Sequence, residues 1–532
     1  MRKLLAACAA AAVMAACQPA AAPPVAAKDP FDFSALATEP KTIAQVQEEI
    51  AGKTSTVEAI TKRYLERIAA VDDAGPKLNA VLAINPNALA NAQALDGLIA
   101  GAATGQRRLL GVPVLLKDNI ETIDPMATTA GSLALQDNHT GRDSPLAARL
   151  RAAGAVILGK TNLSEWANFR SNASSSGWSA VGGQTHNPHV LDRNPCGSSS
   201  GSGAAVAAGL AAAAIGTETD GSIVCPSGAN GVVGIKPTVG LVPRTYIVPI
   251  SASQDTAGPI ALTVADAALL LTVIAGSDPS DPVTKEADAH KADYTKALDP
   301  NALSGKRIGV ARFLAGYHPP TDAAFDAALE TMKAAGAEIV ELKDYPDRRK
   351  IGDAEFTVLL AEFKAGIEAY LKDAPPKVKA KTLADLISFN TNTKAELEFF
   401  NQDVFEAAAK APALTDKTYL DARALSLRLA GKDGIDKLMA DNKLDAIVAP
   451  TGGPAWTTDL LTGDHFLGSS SSLAAVAGYP AISVPMGDVR DLPVGLSIFG
   501  AKWSEEKLIG IAYAFEQKTQ ARKAPGFLRS SP

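Results

Sequence analysis

Only four cysteines occur among 532 residues, which excludes a disulfide-dense scaffold. A basic stripe is missing too. Lys and Arg number 51 against 57 Asp and Glu, with both signs spread along the chain, which argues against nucleic acid as the main partner. Past the first residues there is no apolar run fit to cross a bilayer: Gly203 to Gly216 is Ala-rich and too short, and Ile260 to Ala275 is interrupted by Asp266. His186 and His189, in a His-Asn-Pro-His loop, have no third ligand at convincing spacing, so no metal is expected, and no cofactor motif stands out. What is present is apolar material, 47% of residues against 20% charged, enough for a sizeable core.

The first residues read as an address rather than as part of the fold. Arg2 and Lys3 precede the apolar run Leu4 to Met14, the layout of a signal peptide. Met14-Ala15-Ala16-Cys17 then resembles a bacterial lipobox, whose cysteine is lipidated and becomes the mature N-terminus. Residues 1–16 are therefore expected to be a signal peptide, 17–37 a Pro/Ala-rich tether, and 38–525 one catalytic domain. Gln18 leans towards the outer membrane, so the expectation is a periplasmic lipoprotein anchored at Cys17. An exported chain permits a Cys196–Cys225 bridge, but two buried thiols is the reading favoured here.

From Thr42 onward helical and strand-like segments alternate. Val57, Ile60, Tyr64, Leu65 and Ile68 recur at the helical period. Leu78 to Ile84 and Gly111 to Leu116 read as strands, Pro86 to Leu98 and Leu146 to Ala153 as helices, and Ala155 to Leu158 as a strand. A helix is expected over Ala204 to Ala214 and another over Ile260 to Ala275. Residues 280–440 read as mainly helical around one strand, Arg307 to Ala311. Strands return at Ala446 to Pro450, Ala481 to Pro485 and Val494 to Phe499. The pattern predicts an α/β fold, a twisted mixed β-sheet covered by helices on both faces.

Two Gly/Ser loops flank the Ala-rich segment: Cys196 to Gly203, and Gly216 to Ser222. Glycines expose backbone N–H groups, and a serine beside them is an unhindered nucleophile with oxyanion donors at hand. Either loop alone is weak evidence; joined by a small-residue segment they are stronger.

The run GSSSGSGAAVAAGLAAAAIGTETDGSIVCPSGANGVVGIKPTVGLVPR resembles the core of the amidase signature family. GVPVLLKDNIET and GAVILGKTNLSEWAN before it, and QDTAGPIALTVADAALLLTVIAG, LDAIVAPT and LAAVAGYPAISVPMG after it, follow the family order, so the likeness spans roughly residues 40 to 520. It implies a Ser-cisSer-Lys triad: Ser222 as nucleophile, Ser198 as bridge 24 residues earlier, and Lys117 as base, with Ser199 in support. It also implies an oxyanion hole from the backbone N–H groups of Thr219, Asp220, Gly221 and Ser222. Lysine removes a proton only when neutral, and its reference pKa of about 10.4 requires a depression of about 3 units; burial supplies this, and the apolar strand leading into Lys117 fits burial.

Where family members typically carry Asp-x-Gly-Gly-Ser-Ile-Arg, this chain has Glu218-Thr219-Asp220-Gly221-Ser222-Ile223-Val224. The TETDGSIVCP stretch resembles bacterial peptide amidases, implying hydrolysis of C-terminal peptide carboxamides to acid and ammonia. A broader acyl or aryl amidase is the alternative within the family, and a catalytically silent lipid-anchored binding protein the alternative outside it. Export disfavours a third, the glutamine-amidase subunit of a transamidation complex. Gly197 to Gly201 also spells G-x-S-x-G centred on Ser199, but no buried strand precedes it, and its base would have to be a residue such as His465.

Overall fold

Short runs that are apolar for most of their length form strands that bury both faces. Pro113–Lys117 and Val156–Thr161 are of this kind, every residue buried. The computed structural model describes residues 32–531 apart from 103, 104 and 106. The expected signal peptide, and most of the tether with Cys17, lie outside the described residues. Within the stretch assigned to the tether, Ser34–Leu36 forms a 3₁₀ turn, and Phe33 and Leu36 pack against the main core.

Thirteen strands occur among the described residues: β1 (Val81–Ile84), β2 (Pro113–Lys117), β3 (Val156–Thr161), β4 (Trp178–Ser179), β5 (Gly183–Gln184), β6 (Ala213–Glu218), β7 (Val233–Lys236), β8 (Thr256–Ala261), β9 (Arg307–Val310), β10 (Glu338–Glu341), β11 (Ala446–Pro450), β12 (Ala481–Val489) and β13 (Leu492–Phe499). Eleven form one mixed sheet in the order β1-β3-β2-β6-β8-β7-β12-β13-β11-β9-β10; β4 and β5 form a separate hairpin. Parallel pairs sit at β3-β2-β6 and β11-β9-β10, with antiparallel pairs between. Helices flank the sheet, so the architecture is the α/β one expected.

β2 and β6 are parallel neighbours, paired from Val114↔Ala213 to Leu116↔Ile215. Their C-terminal ends therefore open at the same edge, as ligand sites of parallel sheets generally do. Helices away from this edge follow ordinary rules. Val57–Arg67 starts at Thr56, whose side chain caps Ala59 N–H, and buries Val57, Ile60 and Tyr64.

Three expectations need correction. The Ala-rich segment is not one helix: Ser200–Ala207 is helical, the chain turns at Gly209 with φ +70°, and the remainder becomes β6. A run of alanines carries no period, and burial between β2 and β8 overrides alanine's helical preference. Likewise Ile260 belongs to β8, and the helix following is Val264–Ile274, capped by Thr263. The 280–440 segment holds two strands, since β10 pairs with β9 at the sheet edge. Its Glu-Ile-Val-Glu sequence is half exposed and short, which hides it among helices.

The cysteines also differ from expectation. Cys196 and Cys225 form a disulfide, with Cα atoms 6.0 Å apart, rather than two free thiols. Folding brings the two serine-bearing segments together, which sequence spacing cannot reveal.

Candidate active site

β2 ends in Lys117, and its Nζ lies fully inside the protein. It donates to Ser198 Oγ at 2.8 Å, to Thr217 Oγ1 at 2.9 Å and to the Thr217 carbonyl at 3.2 Å. Burial pulls the ammonium down to about 7, although the negative charges of Asp255 and Glu218 work the other way. The lysine is therefore poised to be neutral at mildly alkaline pH. Asn119 Nδ2 adds a bond to Thr217 Oγ1 at 2.9 Å, fixing the threonine that holds the lysine.

Ser198 follows Gly197 through a cis peptide bond and is itself fully buried. The next residue stitches the two loops together. Ser199 N–H donates to the Ser222 carbonyl at 3.1 Å, and its hydroxyl donates to the Thr217 carbonyl at 3.1 Å while accepting from Thr217 N–H at 3.2 Å. Among the described residues no hydrogen bond joins the Ser198 and Ser222 hydroxyls. Apo catalytic contacts are often longer than in the loaded state.

The segment after β6 is shaped by Glu218. Its buried Oε2 accepts from Ile223 N–H at 2.7 Å and Val224 N–H at 3.0 Å, folding the loop back on itself. Gly221 takes φ +82° there, a conformation that L side chains rarely adopt. Ser222 is left 8% exposed, while Lys117 and Ser198 are at zero. Among the described residues, none of the N–H groups of Thr219, Asp220, Gly221 and Ser222 donates to a protein acceptor. Thr219 Oγ1 donates to Asp255 Oδ1 at 2.6 Å, and Asp255 Oδ2 accepts from Ile250 and Ser251 N–H.

Two hollows flank this loop. One, of about 300 Å³, is lined by Gly197, Asp220, Gly221, Trp456, Phe466 and Ser471 among others. The other, of about 460 Å³, lies against Asn119, Thr217, Thr219, Tyr246 and Tyr370. Trp166, Ala167 and Asn168 run consecutively in the left-handed region at φ 49°, 55° and 69°. Ala167 faces the larger hollow and Asn168 the smaller.

Every site residue expected from the sequence thus lies around one sheet edge. The histidines do not. His465 is exposed and bonds to Thr462 Oγ1 at 3.0 Å, whereas Ser199, the centre of the G-x-S-x-G match, is fully buried. His186 Nδ1 pairs with the Leu191 carbonyl at 2.9 Å and His189 Nε2 with the Asn230 carbonyl at 3.0 Å, so each ring is tied to a backbone.

Sequence reasoning missed Thr217, Asn119, Asp255 and the role of the Glu218 side chain. Thr217 and Glu218 stand inside the TETDGS run, so their alternation before Ser222 was the available signal. A second buried lysine escaped as well. Lys160 Nζ donates to the Ile120 carbonyl at 2.6 Å and Thr128 Oγ1 at 2.9 Å, and lies 3.5 Å from Asp118, bracing the turn that follows Lys117.

Comparison with known proteins shows the family and the fold. The family model described as Amidase matches residues 59–509. A protein of Arabidopsis thaliana named as a probable amidase is 41% identical over 507 residues, covering 93% of each chain. The native peptide amidase from Stenotrophomonas maltophilia superposes with a TM-score of 0.86 at 50% identity, covering 91% of this chain and 98% of that one. A glutamyl-tRNA(Gln) amidotransferase component from Acaryochloris marina is 35% identical over 502 residues, 91% of this chain and 99% of the relative.

Proposed function

The chain belongs to the amidase family, whose members hydrolyse carbon–nitrogen amide bonds, and from that premise we propose that Ser222 is its nucleophile, Ser198 its proton bridge and Lys117 its base. Neutral Lys117 takes the proton of Ser198 as Ser198 takes that of Ser222, and Ser222 Oγ attacks the amide carbon. The N–H groups of Thr219 to Ser222, lacking protein acceptors among the described residues, stabilise the oxyanion. The relay then protonates the leaving nitrogen, the C–N bond breaks, and water hydrolyses the acyl-enzyme. The observation that carries this reading is the bond from fully buried Lys117 Nζ to Ser198 Oγ at 2.8 Å.

The substrate proposed is a peptide carrying a C-terminal carboxamide, released as acid and ammonia. The 50% identity with the peptide amidase supports it. So does the hydroxyl-rich hollow beside Gly221, with Trp456 and Phe466 in edge contact at 5.5 Å, which suits a peptide backbone and an apolar side chain. Export and anchoring at Cys17 are proposed from the N-terminal residues, and a disulfide at the site accords with an oxidising compartment.

The test compares ammonia release from C-terminally amidated peptides with hydrolysis of aryl and fatty amides, in wild type and Ser222→Ala. Fast turnover of peptide amides, abolished in the folded variant, is the expected result. Fast turnover of aryl amides beside slow peptide amides would overturn the substrate, and an active Ser222→Ala would overturn the nucleophile.

A further inference from the structure

Trp456 and Phe466 wall the hollow beside Gly221, yet neither stands on the sheet. Both come from the loop between β11 and the helix Ser472–Ala477, where Leu461 is 89% exposed and Phe466 45%. The backbone beside Trp456 is held from the neighbouring segment. Asn194 N–H donates to the Trp456 carbonyl at 2.7 Å, and Thr458 N–H to the Asp192 carbonyl at 3.0 Å. Those bonds set the path of the chain but leave the indole able to change rotamer.

One carboxylate removes that freedom. Asp464 Oδ1 accepts from Trp456 Nε1 at 3.2 Å and from Ser176 N–H at 3.0 Å, and Oδ2 accepts from Ser176 Oγ at 2.6 Å. Asn194 Nδ2 donates to the Ser176 carbonyl at 2.8 Å and also reaches Asp464 Oδ1 at 3.4 Å. Asp464 thus gathers three stretches of chain, around Ser176, Asn194 and Trp456, at the wall of the hollow. Hydrogen bonds to an ionised acceptor are the strong ones, so the indole is held firmly. Phe466, two residues further on, sets its ring against that indole at 5.5 Å.

We propose that Asp464 is a positioning residue for substrate selection: it holds the Trp456 indole, and with it Phe466, as a fixed apolar wall for the substrate's acyl side chain. This rests on the reading of that hollow as the seat of the substrate. The reacting groups are anchored by other bonds. Ser471 Oγ and Ser472 Oγ donate to the Asp220 carboxylate, the latter at 2.6 Å, and Glu218 Oε2 accepts from Ile223 and Val224 N–H. Lys117 is held by Ser198 and Thr217. Loss of Asp464 therefore weakens binding of a large acyl group and spares bond breaking, which is a change in KM with kcat kept.

The experiment measures KM and kcat for wild type, Asp464→Ala and Asp464→Asn on two primary amides, N-acetylphenylalaninamide and N-acetylglycinamide. Asparagine keeps Oδ1 for Trp456 and Ser176 N–H, and its Nδ2 can donate to Ser176 Oγ, but it carries no charge. In Asp464→Ala, KM for the phenylalanine amide should rise about tenfold, the scale of one hydrogen bond to a charged group. KM for the glycine amide, and kcat on both, should stay within about twofold. Asp464→Asn should return KM for the phenylalanine amide to within about threefold of wild type. An unchanged KM for the phenylalanine amide in Asp464→Ala, an equal loss on the two amides, or an Asp464→Asn as impaired as Asp464→Ala overturns the proposal. If Asp464→Ala does not fold by circular dichroism, Asp464→Leu, close in size but accepting no bond, carries the same test. A wild type that refuses both amides would overturn the substrate class proposed above, and 3-phenylpropanamide against acetamide then carries the same comparison.

Discussion

Lys117 Nζ and Ser198 Oγ are 2.8 Å apart with both side chains wholly excluded from solvent. A charged ammonium at this place would lack the water it needs, and the neighbouring carboxylates do not restore it fully. The end of the strand thus puts Lys117 where the proposed base has to be neutral.

That relationship sets the acid side of the rate profile. With Lys117 titrating at about 7, kcat/KM should fall about tenfold per pH unit below that point as the base is protonated. Initial rates on one neutral amide between pH 5 and 8 check it. A profile flat down to pH 5.5 would remove Lys117 as the base.

Stability should run with the same group. Its folded pKa lies below the unfolded value, so the stability linked to it is present above about 10.5 and lost as pH falls towards 7. Lys117→Met should therefore be inactive yet gain stability relative to wild type at pH 6, on the order of 3 kcal/mol, with a smaller gain at pH 10. Urea unfolding at the two pH values is the measurement.

Glu218→Ala removes the acceptor of two N–H groups and takes from buried Lys236 the largest of the negative charges acting on it, leaving Glu505 and Asp220. The expected cost is about 3 kcal/mol in stability. The released loop should lower kcat about a hundredfold. A variant with normal kcat and lowered Tm would show that the loop needs no such brace.

The Cys196–Cys225 bridge closes a segment of 29 residues. On loop entropy its removal should cost about 3.5 kcal/mol. Chemical denaturation of the paired Cys196→Ser, Cys225→Ser variant checks this, with free-thiol titration confirming the bridge in wild type.

Anchoring has its own test. If the chain is anchored as proposed, Cys17→Ser should shift it from the detergent phase to the aqueous phase, and equal partitioning of the two would rule the lipid out.

The sheet, and the pairing of Lys117 with Ser198, were readable in the sequence because each rests on a local rule. Buried strands such as Val156–Thr161 are apolar for most of their length, and Lys117, Ser198 and Ser222 lie in motifs whose order is itself specific. What escaped depends on distant partners. The second half of the Ala-rich run became β6 only because β2 and β8 offer it hydrogen bonds, and no period in alanine announces that. Ser471 reaches Asp220 from 251 positions away, and the disulfide joins segments separated by a helix and a strand. Such relations are set by packing, which composition does not record.

The parallel pairing of β2 with β6 has one more consequence. Lys117 is fixed at the end of a sheet strand, whereas the hollow beside Gly221 takes Trp456, Phe466 and Ser471 from a different stretch of chain. On the proposed reading, substitutions at Trp456 and Phe466 would redraw which acyl groups enter while leaving Lys117 and Ser198 as they are. Inheritance can therefore tinker with diet and leave the teeth alone.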